Sequence, residues 1–228
     1  MDVLYIGSGL SALQAKDEKY HDHIKVCLNN AWRIYEGGEF DYWIHPGDFP
    51  YENYPSNVHF RSEINHALYS QALHQAADRL GFGGLEGFEL ETQIGYTSFF
   101  QGLYWIMLTL APQRIGLLGF DHDYNPDKTK KWREEGMPQI CNNFLNKREG
   151  SMNEWANDYF KEYEQDAFYG HGTPDPLRFN DDYIEQYMQL ALKNSQLLGV
   201  ELVNYSQRFS PYNVFPRADA DALSGKDK

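Results

Sequence analysis

The sequence predicts a single α/β domain: a mostly parallel sheet with helices on both faces and a lid inserted near the end. Three observations predict it. Short apolar runs alternate with longer helical stretches, the pattern of parallel strands joined by crossover helices. The first apolar run is followed at once by a Gly-x-Gly turn, as in Rossmann-like folds. Each predicted strand ends in small or polar residues: Gly7-Ser8-Gly9, Asn29-Asn30, His45-Pro46 and Gly119-Phe120-Asp121. Ligands of such sheets bind at the carboxyl ends of the strands, where the strand order reverses.

The elements follow in order. Val3-Leu4-Tyr5-Ile6 is a strand, and Gly7 to Ser11 is a tight turn into a helix. Ile24-Lys25-Val26-Cys27-Leu28 is a second strand and Tyr42-Trp43-Ile44 a third. Val58-His59-Phe60 is a short fourth candidate. Phe99 to Leu110 is apolar nearly all round, as in a helix buried between layers. Arg114-Ile115-Gly116-Leu117-Leu118-Gly119-Phe120 is the clearest buried strand. From Asn125 to Pro176 charged, aromatic and asparagine residues dominate and no strand is predicted; Ser151 to Glu164 reads as an amphipathic helix. A segment this long, placed after a strand end, reads as a lid or small helical subdomain. Asp181 to Leu198 has Ile184, Tyr187, Met188, Ala191 and Leu192 at helical spacing and stops at Gly199. Val200 to Asn204 is the last strand, and residues 218–228 form a flexible tail. Residues 1–217 therefore make one nucleotide-binding α/β domain with its lid at about 125–176.

Composition narrows the function. The 228 residues carry 20 basic and 33 acidic side chains, a net charge of −13, which disfavours a protein that wraps a nucleic-acid backbone. Aromatics at 16 % argue against disorder. Two cysteines, Cys27 and Cys141, exclude a disulfide scaffold and a four-cysteine zinc site. The apolar run around Phe99 to Ala111 is too short to span a bilayer. No signal-peptide pattern precedes the first strand, so the expected compartment is the cytoplasm, with reduced thiols.

Four motifs carry chemistry. Gly7-x-Gly9-x-x-Ala12 matches the dinucleotide fingerprint, in which glycines let the backbone approach a phosphate or ribose. The acidic residue that would hold a ribose at the end of the second strand is replaced by Asn29-Asn30, which suits a base edge or neutral sugar as well. The bland alternative is a ligand-free strand–helix turn. Asp121-His122-Asp123 offers either a divalent-metal site bridging a nucleotide-sugar diphosphate, or a single carboxylate, Asp121, bonding a ribose or acceptor hydroxyl; the alternative is a solvated turn. Gly170-His171-Gly172 sets an imidazole between two glycines, free to face a cleft and take a proton near neutral pH, or else simply exposed. Lys128, Lys130, Lys131 and Arg133, with Trp132 among them, form a basic cluster that suits donor phosphates, a nucleic-acid acceptor or a solvated loop.

In order and spacing these motifs resemble the bacterial sialyltransferase family that includes the bifunctional Campylobacter enzymes. Gly7-Ser8-Gly9-Leu10-Ser11 stands for the family's Gly-Asn-Gly-Pro-Ser turn, Cys27-Leu28-Asn29-Asn30 for its Cys-Asn strand end, and His45-Pro46 for its Asn-Pro. Thr97-Ser98 opens the buried helix, Gly119-Phe120-Asp121 matches Gly-Ile-Asp, and Gly170-His171-Gly172 matches Gly-His-Ser. The resemblance implies a GT-A-variant, sialyltransferase-like fold and sugar transfer from a CMP donor to a glycan without a metal. It implies His171 as general base and Tyr124 on the leaving phosphate. Gly7, Ser8, Gly9, Ser11, Asn29, Asn30, Thr97, Ser98, Gly119 and Asp121 would line the nucleotide pocket, with His45 near the donor sugar. Ser8, Leu10 and His45 depart from the family pattern, and Thr97-Ser98 lacks its following glycine, which points to another nucleotide or sugar.

The function expected is thus a glycosyltransferase using a nucleotide-sugar as substrate and no required cofactor. The acceptor is a glycan, or a hydroxymethylated DNA base of the kind some phage enzymes glycosylate, flipped into the pocket. Two alternatives stand beside it: a metal-dependent phosphoryl or pyrophosphoryl transferase using Asp121 and Asp123, and a dinucleotide-binding module using only the first glycine turn. A homo-oligomer is compatible with each.

Overall fold

The computed structural model describes residues 1–35, 38–47, 49, 51–56, 62–64, 97–122, 132–150, 155, 165–168, 170–172, 181–210 and 212–218. Six parallel strands form one sheet: β1 (Asp2–Ile6), β2 (Ile24–Leu28), β3 (Tyr42–Pro46), β4 (Ser62–Ile64), β5 (Arg114–Leu118), and a last strand, β8 (Glu201–Asn204). The spatial order is β4-β3-β2-β1-β5-β8. From β1 the chain builds outward through β2, β3 and β4, then returns to lay β5 on the other side of β1. The order therefore reverses between β1 and β5, and the carboxyl ends at such a reversal are where ligands of these sheets bind. Ile6 is level with Cys27 on one side and with Leu118 on the other, so the residues after all three strands emerge at one height.

The strands read as nearly continuous apolar runs because both faces are covered. On one face Val3, Tyr5, Val26, Leu28, Ile44, Ile115, Leu117 and Leu202 pack against two helices, α1 (Ser98–Trp105) and α3 (Asp181–Leu197). Thr97 caps α1 by accepting the Phe99 N–H at 3.0 Å. The helix continues through a π-helical stretch, Ile106–Leu110, and stops where Ala111 takes a left-handed conformation before Pro112. On the other face Leu4, Ile6, Cys27, Trp43, Leu118 and Val203 meet two 3₁₀ helices, Leu10–Lys16 and Asn29–Tyr35. Their buried residues, Ala12 with Ala15 and Ala31 with Ile34, lie three apart, the spacing that a 3₁₀ helix stacks on one side. The expected helix after the glycine turn is therefore a short 3₁₀ segment, not an α-helix.

One further expectation is corrected. The segment 125–176 does contain strands: β6 (Gln165–Ala167) and β7 (Gly170–Gly172) pair antiparallel, with Asp166 opposite His171. The strand expected at 58–60 lies outside the described residues; the fourth strand described is β4 at 62–64. Within the same inserted region, Trp132–Gly136 and α2 (Met137–Leu145) are helical. The helix expected at 151–164 lies outside the described residues except for helical Trp155, as does most of the tail. Among the described residues no helix is long and apolar enough to cross a membrane.

Candidate functional site at the carboxyl ends of β1 and β5

At the reversal point the loops after β1 and β5 interlock. Gly7 N–H donates to the Leu118 carbonyl at 2.8 Å, and Gly9 N–H to the Gly119 carbonyl at 2.8 Å. Ser11 reaches across in return: its hydroxyl accepts the Gly119 N–H at 2.8 Å. Its own N–H donates to Asp121 Oδ2 at 2.9 Å. The loop after β8 joins through Ser206, whose hydroxyl donates to Asp121 Oδ1 at 2.7 Å. Five of the residues singled out in the sequence, Gly7, Gly9, Ser11, Gly119 and Asp121, thus meet at one place.

The glycines are needed here for close approach of the chain to itself. A Cβ on Gly9 would lie 2.7 Å from Asp121 Oδ2, and one on Gly7 would lie 2.6 Å from the Phe120 ring. Gly119 has φ +76°, and a Cβ there would overlap the Gly7 carbonyl. The space that the dinucleotide fingerprint leaves for a phosphate is occupied by Phe120 and Asp121. The following 3₁₀ helix has seven residues and lacks the aligned turns of an α-helix. Asp121 is 5 % exposed and both of its oxygens accept hydrogen bonds from the chain, so its first role in the site is to clasp the three loops.

His122 follows Asp121 with φ +52° and is buried beside Phe99 and Tyr212. Burial lowers its pKa from the ordinary histidine value to about 4, with the Asp121 charge opposing the shift. The folded state therefore holds it neutral while an unfolded chain takes up a proton near pH 6.5. Its contribution to stability is present above that pH and is lost as the pH falls from about 6.5 toward about 4. The loss amounts to about 3 kcal/mol over that window. Burial lowers the pKa of His23 as well, with the same sign. In urea titrations from pH 8 to pH 4.5, the His122→Gln variant is expected to lose less stability on acidification than the parent. Equal acid slopes in the two proteins would refute this assignment.

The other strand ends differ in character. Asn29, directly after β2, takes a left-handed conformation at φ +51°, which asparagine tolerates better than most residues. Its carbonyl accepts the Trp43 indole N–H at 2.7 Å, and its buried side-chain oxygen receives no hydrogen bond among the described residues. Asn30 accepts from Arg33 Nε at 3.3 Å. His45, expected near a donor sugar, is fully buried on the opposite face from α1. It stacks on Trp43 at 4.2 Å and packs against Phe49 and Tyr54, with Nδ1 2.8 Å from the Pro46 carbonyl. Ser98 and Thr97 are brought to β1 by Tyr5, whose hydroxyl donates to the Phe99 carbonyl at 3.1 Å and the Ser98 carbonyl at 3.3 Å.

The hairpin that bears His171 reaches the same place by its backbone. Phe168, in the turn between β6 and β7, donates its N–H to the Ser8 carbonyl at 3.2 Å and packs on the core beneath it. This joins the strand Gly170-His171-Gly172 to the glycine turn. The His171 side chain, Asp123, Tyr124, Lys128, Lys130 and Lys131 lie outside the described residues, and Arg133 is described only in its backbone. Among the described residues no three His, Cys, Asp or Glu side chains are arranged to hold a metal ion.

Sequence reasoning missed Ser206 and Arg208. Arg208 Nε stands 3.9 Å from Asp121 Oδ2. Neither residue sits in a recognisable motif; the only signal was a cluster of serine and arginine just after the last strand. A small cavity lined by Phe99, Phe120, His122, Asn204, Ser210 and Tyr212 among others has room for about one water molecule. No protein-family model, no curated protein and no solved structure matches the chain.

Proposed function

We propose that the chain is a glycosyltransferase that moves a sugar from a nucleotide-sugar donor to an acceptor hydroxyl, with His171 as general base. The observation that carries this reading is the hydrogen bond from Phe168 N–H to the Ser8 carbonyl, which links the histidine hairpin to the carboxyl ends of β1 and β5, where the strand order reverses. Supporting it is the buried Asn29 side-chain oxygen, an acceptor at the neighbouring strand end that a base amine or sugar hydroxyl would satisfy.

The reaction follows from these parts. The acceptor oxygen attacks the anomeric carbon, the bond from that carbon to the donor phosphate breaks, and the nucleotide leaves with the electron pair. The acceptor proton passes to the His171 imidazole. On this reading the inserted segment 125–176, to which the hairpin belongs, serves as the lid that keeps water from competing as acceptor. The acceptor is a glycan or a hydroxymethylated base in DNA, both of which present a primary or secondary hydroxyl to the same histidine.

Thermal melts with CMP, UDP, GDP, NAD and FAD, each with and without manganese, test the donor class. One of the first three nucleotides is expected to raise Tm, equally well without manganese; saturation at 100 times Kd contributes about 2.7 kcal/mol. A shift with NAD or FAD alone would select the dinucleotide-binding alternative. A shift that requires manganese would select the metal-dependent transferase.

A further inference from the structure

We propose that Arg208 holds the phosphate of the nucleotide donor at the carboxyl ends of β1 and β5, a duty that the glycine turn itself does not perform. The inference rests on the nucleotide-donor reading above and adds the residue that binds the anion. Four backbone donors of the turn and of the helix after it are already engaged within the chain. Gly7 N–H goes to Leu118, Gly9 N–H to Gly119, Ser11 N–H to Asp121 and Ala12 N–H to Gly9. A phosphate arriving at this turn also meets the carboxylate of Asp121 and a chain of net charge −13. Binding an anion there requires a cation at the same spot.

Arg208 is that cation. Its Nε lies 3.9 Å from the Asp121 oxygen that accepts the Ser11 N–H, so the guanidinium borders the turn. At 3.9 Å the contact is an ion pair beyond hydrogen-bond length. No guanidinium hydrogen bond is found for Arg208 among the described residues, and its side chain is 43 % exposed. The other arginines with described side chains are committed. Arg33 bonds Asn30 and Asn53, and Arg114 pairs with Asp2 and Glu201 at the amino end of β5. Arg148 bonds Asn143, and Arg217 bonds the Ser206 and Arg208 carbonyls.

The backbone of Arg208 is fixed on both sides. Its N–H donates to the Ser206 hydroxyl at 3.2 Å, and its carbonyl accepts Arg217 Nη1 at 2.6 Å. Ser206 is itself held by the Asn204 side chain at 2.9 Å and by Asp121. An arginine on so rigid a loop loses little freedom when it engages a phosphate oxygen, and its planar fork suits two of them.

Calorimetric titration of the full chain with CMP, UDP and GDP, and with cytidine, uridine and guanosine, tests the proposal. With Arg208→Gln, affinity for the nucleotide that binds the parent is expected to fall about 10- to 100-fold, while the matching nucleoside binds unchanged. Arg208→Lys, which keeps the charge, is expected to retain most of the nucleotide affinity. Arg208→Gln also removes the cation paired with the buried Asp121 carboxylate, so its melting temperature is expected to fall, and unchanged nucleoside binding is the control that the site is still folded. Unchanged nucleotide affinity in Arg208→Gln would overturn the role of Arg208 and leave the donor reading intact. Equal loss of nucleotide and nucleoside would show a merely structural residue and overturn it as well. A parent chain that binds none of the three nucleotides would overturn the donor reading, and this assignment with it.

Discussion

Replacing His171 by alanine is expected to slow sugar transfer about 10²- to 10⁴-fold while leaving the affinity for the donor nucleotide unchanged. The acceptor hydroxyl is a poor nucleophile until its proton is withdrawn, and an imidazole near neutral pH does this with little energetic mismatch. The backbone around the residue agrees with the role. β7 is three residues long, is paired to β6, and has a glycine on each side of the histidine in sequence. The tie from Phe168 to Ser8 anchors the hairpin to the glycine turn without using the histidine itself. Steady-state assays of nucleotide release should show kcat reduced with the donor KM little changed, the mark of a group that acts in the transition state. The acid limb of the pH–rate profile should vanish with the imidazole. Full activity in His171→Ala would end the assignment of the base, whatever the donor proves to be.

Replacing Gly119 by alanine is expected to destabilise the fold by about 2–5 kcal/mol. Two penalties combine. At φ +76° an L side chain costs about 1–2 kcal/mol relative to glycine. The new methyl group would also overlap the Gly7 carbonyl and lie 2.9 Å from the Ala12 Cβ, and forced overpacking of this kind costs about 1–3 kcal/mol. Relief would require parting the loops after β1 and β5, which would break the Gly9–Gly119 and Gly119–Ser11 hydrogen bonds. Gly47 serves as the control, because a Cβ there meets nothing within 4 Å and its substitution by alanine should be nearly neutral. Urea denaturation of the two variants measures the difference. A midpoint for Gly119→Ala equal to that of the parent would mean that the interlocked loops do not hold the site together.

Much of the fold was legible because it depends on burial. β1, β2, β3, β5 and β8 were visible as apolar runs, since a strand covered on both faces has no polar side to obscure it. The helix Asp181–Leu197 was visible because only one stripe of it is buried. The β6–β7 hairpin was not legible. Its strands are Gln-Asp-Ala and Gly-His-Gly, which carry no β-branched or aromatic residue and no alternation. The 3₁₀ character of Leu10–Lys16 was hidden because a Gly-x-Gly turn usually introduces a longer helix, whereas here the buried alanines recur every third residue.

The site divides in the same way. The sequence places glycines, Ser11 and Asp121 at strand ends, and they do converge. It does not show that the glycines admit Phe120 and Asp121 in place of a ligand, because a fingerprint records where side chains are missing and not what fills the gap. Nor does it expose the fully buried His45, whose stacking on Trp43 follows from both lying on one face of β3, two residues apart. Ser206 and Arg208 are joined to Asp121 over a sequence separation of more than eighty residues, a contact that only the assembled sheet creates.

The strand order has a consequence for how the chain becomes compact during synthesis. The middle ribbon β1 finds its neighbour β2 within a few tens of residues, but its opposite margin meets β5 only after residues 114–118 have left the ribosome. Until then one row of its amide and carbonyl groups stays open to improper pairing, and the apolar side chains of Val3 to Ile6 remain uncovered. Closure across so long a stretch of chain is a slow, late event, and the site exists only once it has occurred.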